Sequence, residues 1–136
     1  MKRSLNAANK PGRHWRLAGT STAVIAALLL TACGDKEVSY QTDVQPILKK
    51  YCVECHDAGG QGTEKSGLSL ASYDDLMQGT RFGSIVKPGD SFSSVLIMLV
   101  EGRADPSIKM PHGKAAIPQD QIDVLKKWVE QGAKNN

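Results

Sequence analysis

Cys52-Val53-Glu54-Cys55-His56 constrains this chain more than any other stretch. Two thiols three residues apart, with a histidine directly after the second, form the C-x-x-C-H pattern of covalent haem attachment. The spacing has a chemical reason. Each thiol adds to one of two vinyl groups on the same edge of a porphyrin, and the adjoining imidazole is carried under the iron, where a ring nitrogen can bind it. A chain folded around such a site must wrap a large apolar disc. The pattern predicts one haem c held by Cys52 and Cys55, with His56 as an iron ligand.

Other uses of paired thiols fit less well. A thioredoxin-like pair expects a βαβ context, and no such alternation of patterns is visible. A zinc site takes four ligands, usually as two pairs. Beyond the cluster, the chain after residue 32 adds only Cys33 and His112 of those residue types, and Cys55 and His56 are adjacent, an awkward pair for one tetrahedral metal.

The N-terminal end has a different character. Residues 1–32 carry Lys2, Arg3, Lys10, Arg13 and Arg16, no acid, and then the apolar run Ala23–Leu30. A basic start, a short apolar stretch and small residues before a cut site describe an export signal. The stretch Leu17–Leu30 falls short of the roughly 20 apolar residues of a membrane span, although a short uncleaved anchor is the competing reading. Leu30-Thr31-Ala32-Cys33 resembles the bacterial lipobox, in which the leader is cut before a cysteine that then carries lipid. Each buried methylene of an acyl chain contributes about 0.8 kcal/mol, so several chains on Cys33 would hold firmly. The expected organisation is a lipoprotein signal peptide over 1–32, a lipidated tether over 33–39 and one domain over 40–136.

Removing 32 residues from 136 leaves 104, the size of one small domain. The leader takes five of the 17 basic groups and none of the 14 acids, so the formal charge of +3 becomes about −2. No basic stripe remains, which excludes nucleic acid as a partner.

A haem used for electron transfer usually has both axial positions filled, and methionine opposite histidine raises its potential. Three methionines follow the leader. Met77 lies in a short polar segment. Met98 lies in Val95-Leu96-Ile97-Met98-Leu99-Val100 and reads as core packing. Met110 lies in a loop, Ser107-Ile108-Lys109-Met110-Pro111-His112-Gly113, where Pro111 favours extended geometry at the preceding residue. Met110 is therefore the expected sixth ligand. His112 is the rival and would give a bis-histidine haem of lower potential.

The scaffold reads as all-α, a small domain of about four helices packed around one covalent haem. Val44, Ile47, Leu48 and Tyr51 form one face of a helix leading into Cys52, with Thr42 or Asp43 as its cap and Pro46 in its first turn. Gly59–Thr63 reads as a flexible loop, and Leu68 and Leu70 as cover for the haem edge. A short helix spans Ser72–Gln78. Another runs from a cap at Asp90 or Ser91 to Glu101, and a last one from Pro118 to Gln131 with Trp128 facing the N-terminal helix. Arg81, Lys87 and Arg103 are candidate propionate partners.

These motifs, in this order, resemble the class I monohaem cytochromes c, and among them the planctomycete-type cytochrome c domain. The resemblance runs over residues 40–133. It rests on Val44-Gln45-Pro46-Ile47-Leu48 before the haem motif, Gly67-Leu68-Ser69-Leu70 after it, Val86-Lys87-Pro88-Gly89-Asp90, Met110-Pro111 and Trp128-Val129-Glu130-Gln131-Gly132-Ala133. It implies His56 and Met110 as axial ligands. His112 stands where the family commonly has a second proline, and Ile117 where it tends to have a capping Ser or Thr.

The expected function is electron transfer between redox partner proteins by a monomeric, membrane-tethered carrier in the periplasm or cell envelope. No acid–base or nucleophilic constellation that would mark an enzyme is visible. A peroxidase-like haem enzyme, or a gas or redox sensor, would instead need a labile sixth ligand. Only six aromatic residues follow the leader, and a domain this small has a thin core. A haem would fill the deficit and stabilise the native state. Chain produced without haem should therefore show little cooperative melting by circular dichroism; a compact apoprotein with a sharp transition would contradict this.

Overall fold

A computed structural model describes residues 35–136. The expected signal peptide over 1–32 and the lipidation site Cys33 lie outside the described residues. Within these bounds the chain contains six α-helices and no strand, apart from an isolated bridge between Thr80 and Gly83. The all-α class holds. The expected count of about four rises to six because one short helix forms within the C-x-x-C-H segment and another follows it.

Ser39 starts the first helical stretch. Its hydroxyl accepts the Thr42 N–H at 3.3 Å, while the Asp43 carboxylate accepts the Ser39 N–H at 2.9 Å. This reciprocal arrangement is a capping box in form, and it corrects the cap expected at Thr42 or Asp43. A wide π-helical turn, Tyr40–Val44, leads into α1 (Gln45–Tyr51) with Pro46 in its first turn. Val44, Ile47 and Leu48 are buried, and Tyr51 is half-buried. At Cys52 the backbone leaves helical geometry (φ −122°, ψ −44°), and α2 (Val53–His56) resumes after this break.

The segment expected as a flexible loop runs into α3 (Gln61–Ser66), which begins at its third residue. Glycines weaken a helix, but tertiary contact decides here: α3 packs on α2 and ends at Gly67, whose φ of +80° provides the left-handed cap. Next comes α4 (Tyr73–Gln78), capped by the Ser72 hydroxyl accepting the Asp75 N–H at 3.1 Å. The following helix, α5 (Val95–Glu101), begins later than its expected start at Asp90 or Ser91. The Asp90 carboxylate accepts the Ser93 N–H at 3.0 Å and closes a turn. Buried Ser94 ties this turn down, accepting the Lys87 N–H at 2.8 Å and donating to the Asp90 carbonyl at 2.8 Å. The last helix, α6 (Gln119–Glu130), starts one residue after Pro118.

Trp128 of α6 is fully buried, in the place expected for it. Its ring centroid lies 5.7 Å from Tyr40 and 6.5 Å from Tyr73, and the two tyrosines lie 5.1 Å apart edge-on. Trp128 Nε1 donates to the Lys134 carbonyl and Tyr73 Oη to the Ala133 carbonyl. The three rings bind the opening turn, α4 and α6 together. α5 packs on α6, and Glu101 of α5 pairs with Lys126 at 2.8 Å.

The segment expected as a tether over 33–39 is attached to the domain over its described part. Gln131 accepts the Val38 N–H at 2.7 Å and donates to the Lys36 carbonyl at 3.2 Å, and Asn136 accepts the Tyr40 N–H at 2.9 Å. Val38 packs against the core.

Replacing Trp128 by alanine should cost about 3–5 kcal/mol, the usual range for an aromatic deleted from a core. Denaturant titration should show a lower midpoint; a loss below about 1 kcal/mol would mean that the three-ring cluster does not hold these elements.

Candidate functional site

The helices enclose a cleft of about 690 Å³, within the roughly 300–1,000 Å³ typical of cofactor and small-molecule sites. One wall comes from the end of α1, α2 and α3. The other comes from α5 and the loop that follows it. Cys52, Cys55 and His56 line the first wall, and Met110 and His112 line the second. The sequence thus places its two expected ligand sources 54 residues apart in the chain and on one cavity.

α2 fixes the first wall. One helical turn carries both thiols and the imidazole, with the His56 N–H bonded to the Cys52 carbonyl at 3.1 Å. His56 is buried, 8 % exposed, and its Nδ1 lies 3.3 Å from the Leu68 carbonyl oxygen. A carbonyl only accepts, so Nδ1 is the donor in this bond, and the neutral imidazole that makes it has a lone pair on Nε2 for a metal. Among the described residues no group bonds Nε2. The Leu70 N–H donates to the His56 carbonyl at 2.7 Å, which locks the Gly67–Leu70 segment beside the ring. Leu68 and Leu70, expected near the haem edge, are buried and line the cleft.

Gly62 was not singled out in the sequence. A Cβ there would lie 2.7 Å from His56 Cε1, 2.8 Å from Nε2 and 2.8 Å from the Cys55 carbonyl oxygen. Only glycine lets α3 approach the imidazole so closely. No local signal distinguishes Gly62 from Gly59 or Gly60 in the sequence.

The second wall is held through the backbone. The Met110 N–H donates to the Leu99 carbonyl at 3.2 Å, fastening the loop to α5. Met110 is half-buried, and the Met110–Pro111 peptide is cis. Met77 packs against the core, and neither it nor Met98 lines the cleft. Across the mouth, Lys114 pairs with Glu54, joining the Met110 loop to α2. Lys65 and Lys114 line the cleft, whereas the expected propionate candidates do not. Lys87 is turned to Asp90, Arg103 to Glu101 and the Phe92 carbonyl, and Arg81 to the Glu64 carbonyl.

Both thiols are free. Burial first, and the neighbouring Cys55 second, push the Cys52 thiol up to about 11, against the opposing pull of Lys114. Redox-active C-x-x-C pairs depend on a lowered thiol pKa, so this environment opposes a thioredoxin-like role. Among the described residues no three His, Cys, Asp or Glu side chains gather as a metal site. The exposed apolar residues supply a further test of what the cleft fits. Phe82 is 86 % exposed, and Val95 and Ile108 are also exposed, yet all three line the cleft. An apolar occupant would cover them, and a haem suits this lining, the free Nε2 and the pair of thiols together.

Residues 52–113 match the family described as Planctomycete cytochrome C. This part of the chain is similar to that family. The matched segment includes residues of both cleft walls, from the first thiol through Met110 and His112. A solved structure named Kuenenia stuttgartiensis Hydrazine Synthase is similar over 71 % of this chain at 24 % identity, with a TM-score of 0.48. The chain spans 16 % of the length of that protein. No curated protein sequence matches.

Gly62→Ala should displace the His56 ring. The variant should carry less haem than the wild type when both are made in a host able to attach it, as read by haem staining after denaturing electrophoresis. Equal loading and an unchanged spectrum would contradict the close approach.

Proposed function

We propose that the protein is an exported, membrane-tethered monohaem cytochrome c that passes electrons between redox partner proteins. The observation that carries this reading is the convergence of Cys52, Cys55, His56 and Met110 on one apolar cleft. In this proposal Cys52 and Cys55 would hold one haem c by thioether bonds, and His56 and Met110 would bind its iron. When bound, the haem supplies a one-electron Fe(III)/Fe(II) couple.

The chain's own residues prepare the site for that role. The Leu68 carbonyl orients His56, and the two thiols fix the register of the ring edge. The apolar walls limit water around the metal. Met110, a soft thioether, favours the reduced metal and raises the potential. Its loop is fastened at Leu99 and bridged at Lys114, which suits a ligand that stays in place while only an electron moves.

His112, two residues along and on the same cleft, supports a second reading of the sixth ligand alone. Monomeric state, periplasmic or cell-envelope location and lipid attachment at Cys33 belong to the proposal. They rest on the basic leader, the lipobox and the single small domain. No helix of the described residues is long and apolar enough to cross a membrane; tethering in this proposal is assigned to Cys33 on the lipobox.

Absorption spectra with and without carbon monoxide test the function. The reduced wild-type protein should not bind carbon monoxide, and the oxidised form should show the weak long-wavelength band of a sulfur–iron bond. Met110→Ala should lose that band and open the iron to carbon monoxide. Rapid binding by the wild type would replace the carrier with a haem enzyme or gas sensor. A Met110→Ala spectrum identical to the wild type would give the sixth position to His112.

A further inference from the structure

The carbonyl that holds His56 has a second donor. Thr63 Oγ1 of α3 lies 2.9 Å from the Leu68 carbonyl oxygen, the same atom that accepts the His56 Nδ1 proton. The same hydroxyl lies 2.9 Å from the Asp57 carbonyl oxygen. Both neighbours are acceptors, and a hydroxyl has one proton, so that proton lies between two carbonyls. The imidazole contact is 3.3 Å, just beyond the usual 2.7–3.2 Å for N–H···O, whereas 2.9 Å is ordinary for O–H···O. The hydroxyl holds the shared oxygen at normal length and the imidazole holds it at a stretch.

We propose that Thr63 is a positioning residue that raises the reduction potential of the haem by weakening the hydrogen bond between His56 and Leu68. The inference rests on His56 being an iron ligand, as argued above. A metal-bound histidine becomes a more basic donor when its other ring N–H is held by a strong acceptor. A more basic imidazole stabilises Fe(III) over Fe(II) and lowers the potential. Hydrogen bonding to an axial ligand is one of the few means by which a protein adjusts a haem. The Thr63 hydroxyl draws electron density from the Leu68 oxygen. It makes that oxygen a poorer acceptor for Nδ1–H and keeps the imidazole closer to neutral. Thr63 touches neither the metal nor the cleft; its effect passes through one carbonyl. A hydroxyl bonded to Asp57 alone would fasten the loop after His56 and leave the potential unchanged.

The test compares haem-loaded wild type, Thr63→Val and Thr63→Ser by spectroelectrochemistry, with the His56 ring proton followed by NMR in the reduced state. Thr63→Val keeps the shape and removes the hydroxyl. Its one-electron equilibrium should shift toward Fe(III) by roughly two- to tenfold, at about 59 mV per tenfold, and its Nδ1 proton should move downfield. Thr63→Ser should restore both readings. If Thr63→Val fails to load haem, Thr63→Ala provides the same comparison. An unchanged or raised potential, a static ring proton, or a shift that Thr63→Ser shares would overturn the inference. A wild-type protein that carries no haem would instead overturn the functional reading beneath it.

Discussion

The hydrogen bond between His56 Nδ1 and the Leu68 carbonyl determines what this fold can do. An imidazole has two nitrogens, and only the one without a proton can bind a metal. Because the partner is a carbonyl, Nδ1 keeps its proton and Nε2 remains free. The surrounding structure sets the strength of this bond. The Leu70 N–H returns to the His56 carbonyl and Gly62 leaves room for α3 against the ring, while Thr63, which reaches both Asp57 and Leu68, shares the carbonyl that His56 uses. The short helices α2 and α3 therefore form a seat for one side chain. Opposite this seat, the backbone bond from Met110 to Leu99 fixes the second wall to α5. The aromatic cluster of Tyr40, Tyr73 and Trp128 keeps the opening turn, α4 and α6 in fixed relation on the scaffold that carries both walls.

Much of this was legible in the sequence, for identifiable reasons. The face of α1, the short helix α4, the start of α6 beside Pro118 and the burial of Trp128 follow from periodicity and proline geometry. Each depends on residues a few positions apart. The grouping of Cys52, Cys55 and His56 on one cleft wall was equally clear, because the three stand within five residues of one another. Met110 was separable from Met77 and Met98 because only it sits in a proline-stiffened loop rather than an apolar or helical run. The convergence of both walls on one cleft needed the fold.

The misses share one cause: an isolated stretch does not show what packs against it. Gly60 and Gly62 suggested a flexible loop, yet contact with α2 makes α3 helical there. Asp90 has the chemistry of a helix cap, but Ser93 and Lys87 engage it in a turn and α5 starts after Ser94. Arg81 and Arg103 were plausible anion partners until the fold paired them with the Glu64 carbonyl, Glu101 and the Phe92 carbonyl. Lys65 and Lys114 line the cleft without any local signal. Residues 33–39 read as a tether, and in the described part of it Gln131 bonds Lys36 and Val38 and Asn136 bonds Ser39.

The central claim is that Cys52 and Cys55 carry a porphyrin through two thioether bonds. Protein expressed with functional cytochrome maturation machinery, denatured, digested and analysed by mass spectrometry tests it directly. The account predicts a peptide containing Cys52–His56 that is heavier by the mass of one haem and resistant to acid extraction of the pigment. The same peptide at its unmodified mass, with both thiols open to alkylation, would contradict it.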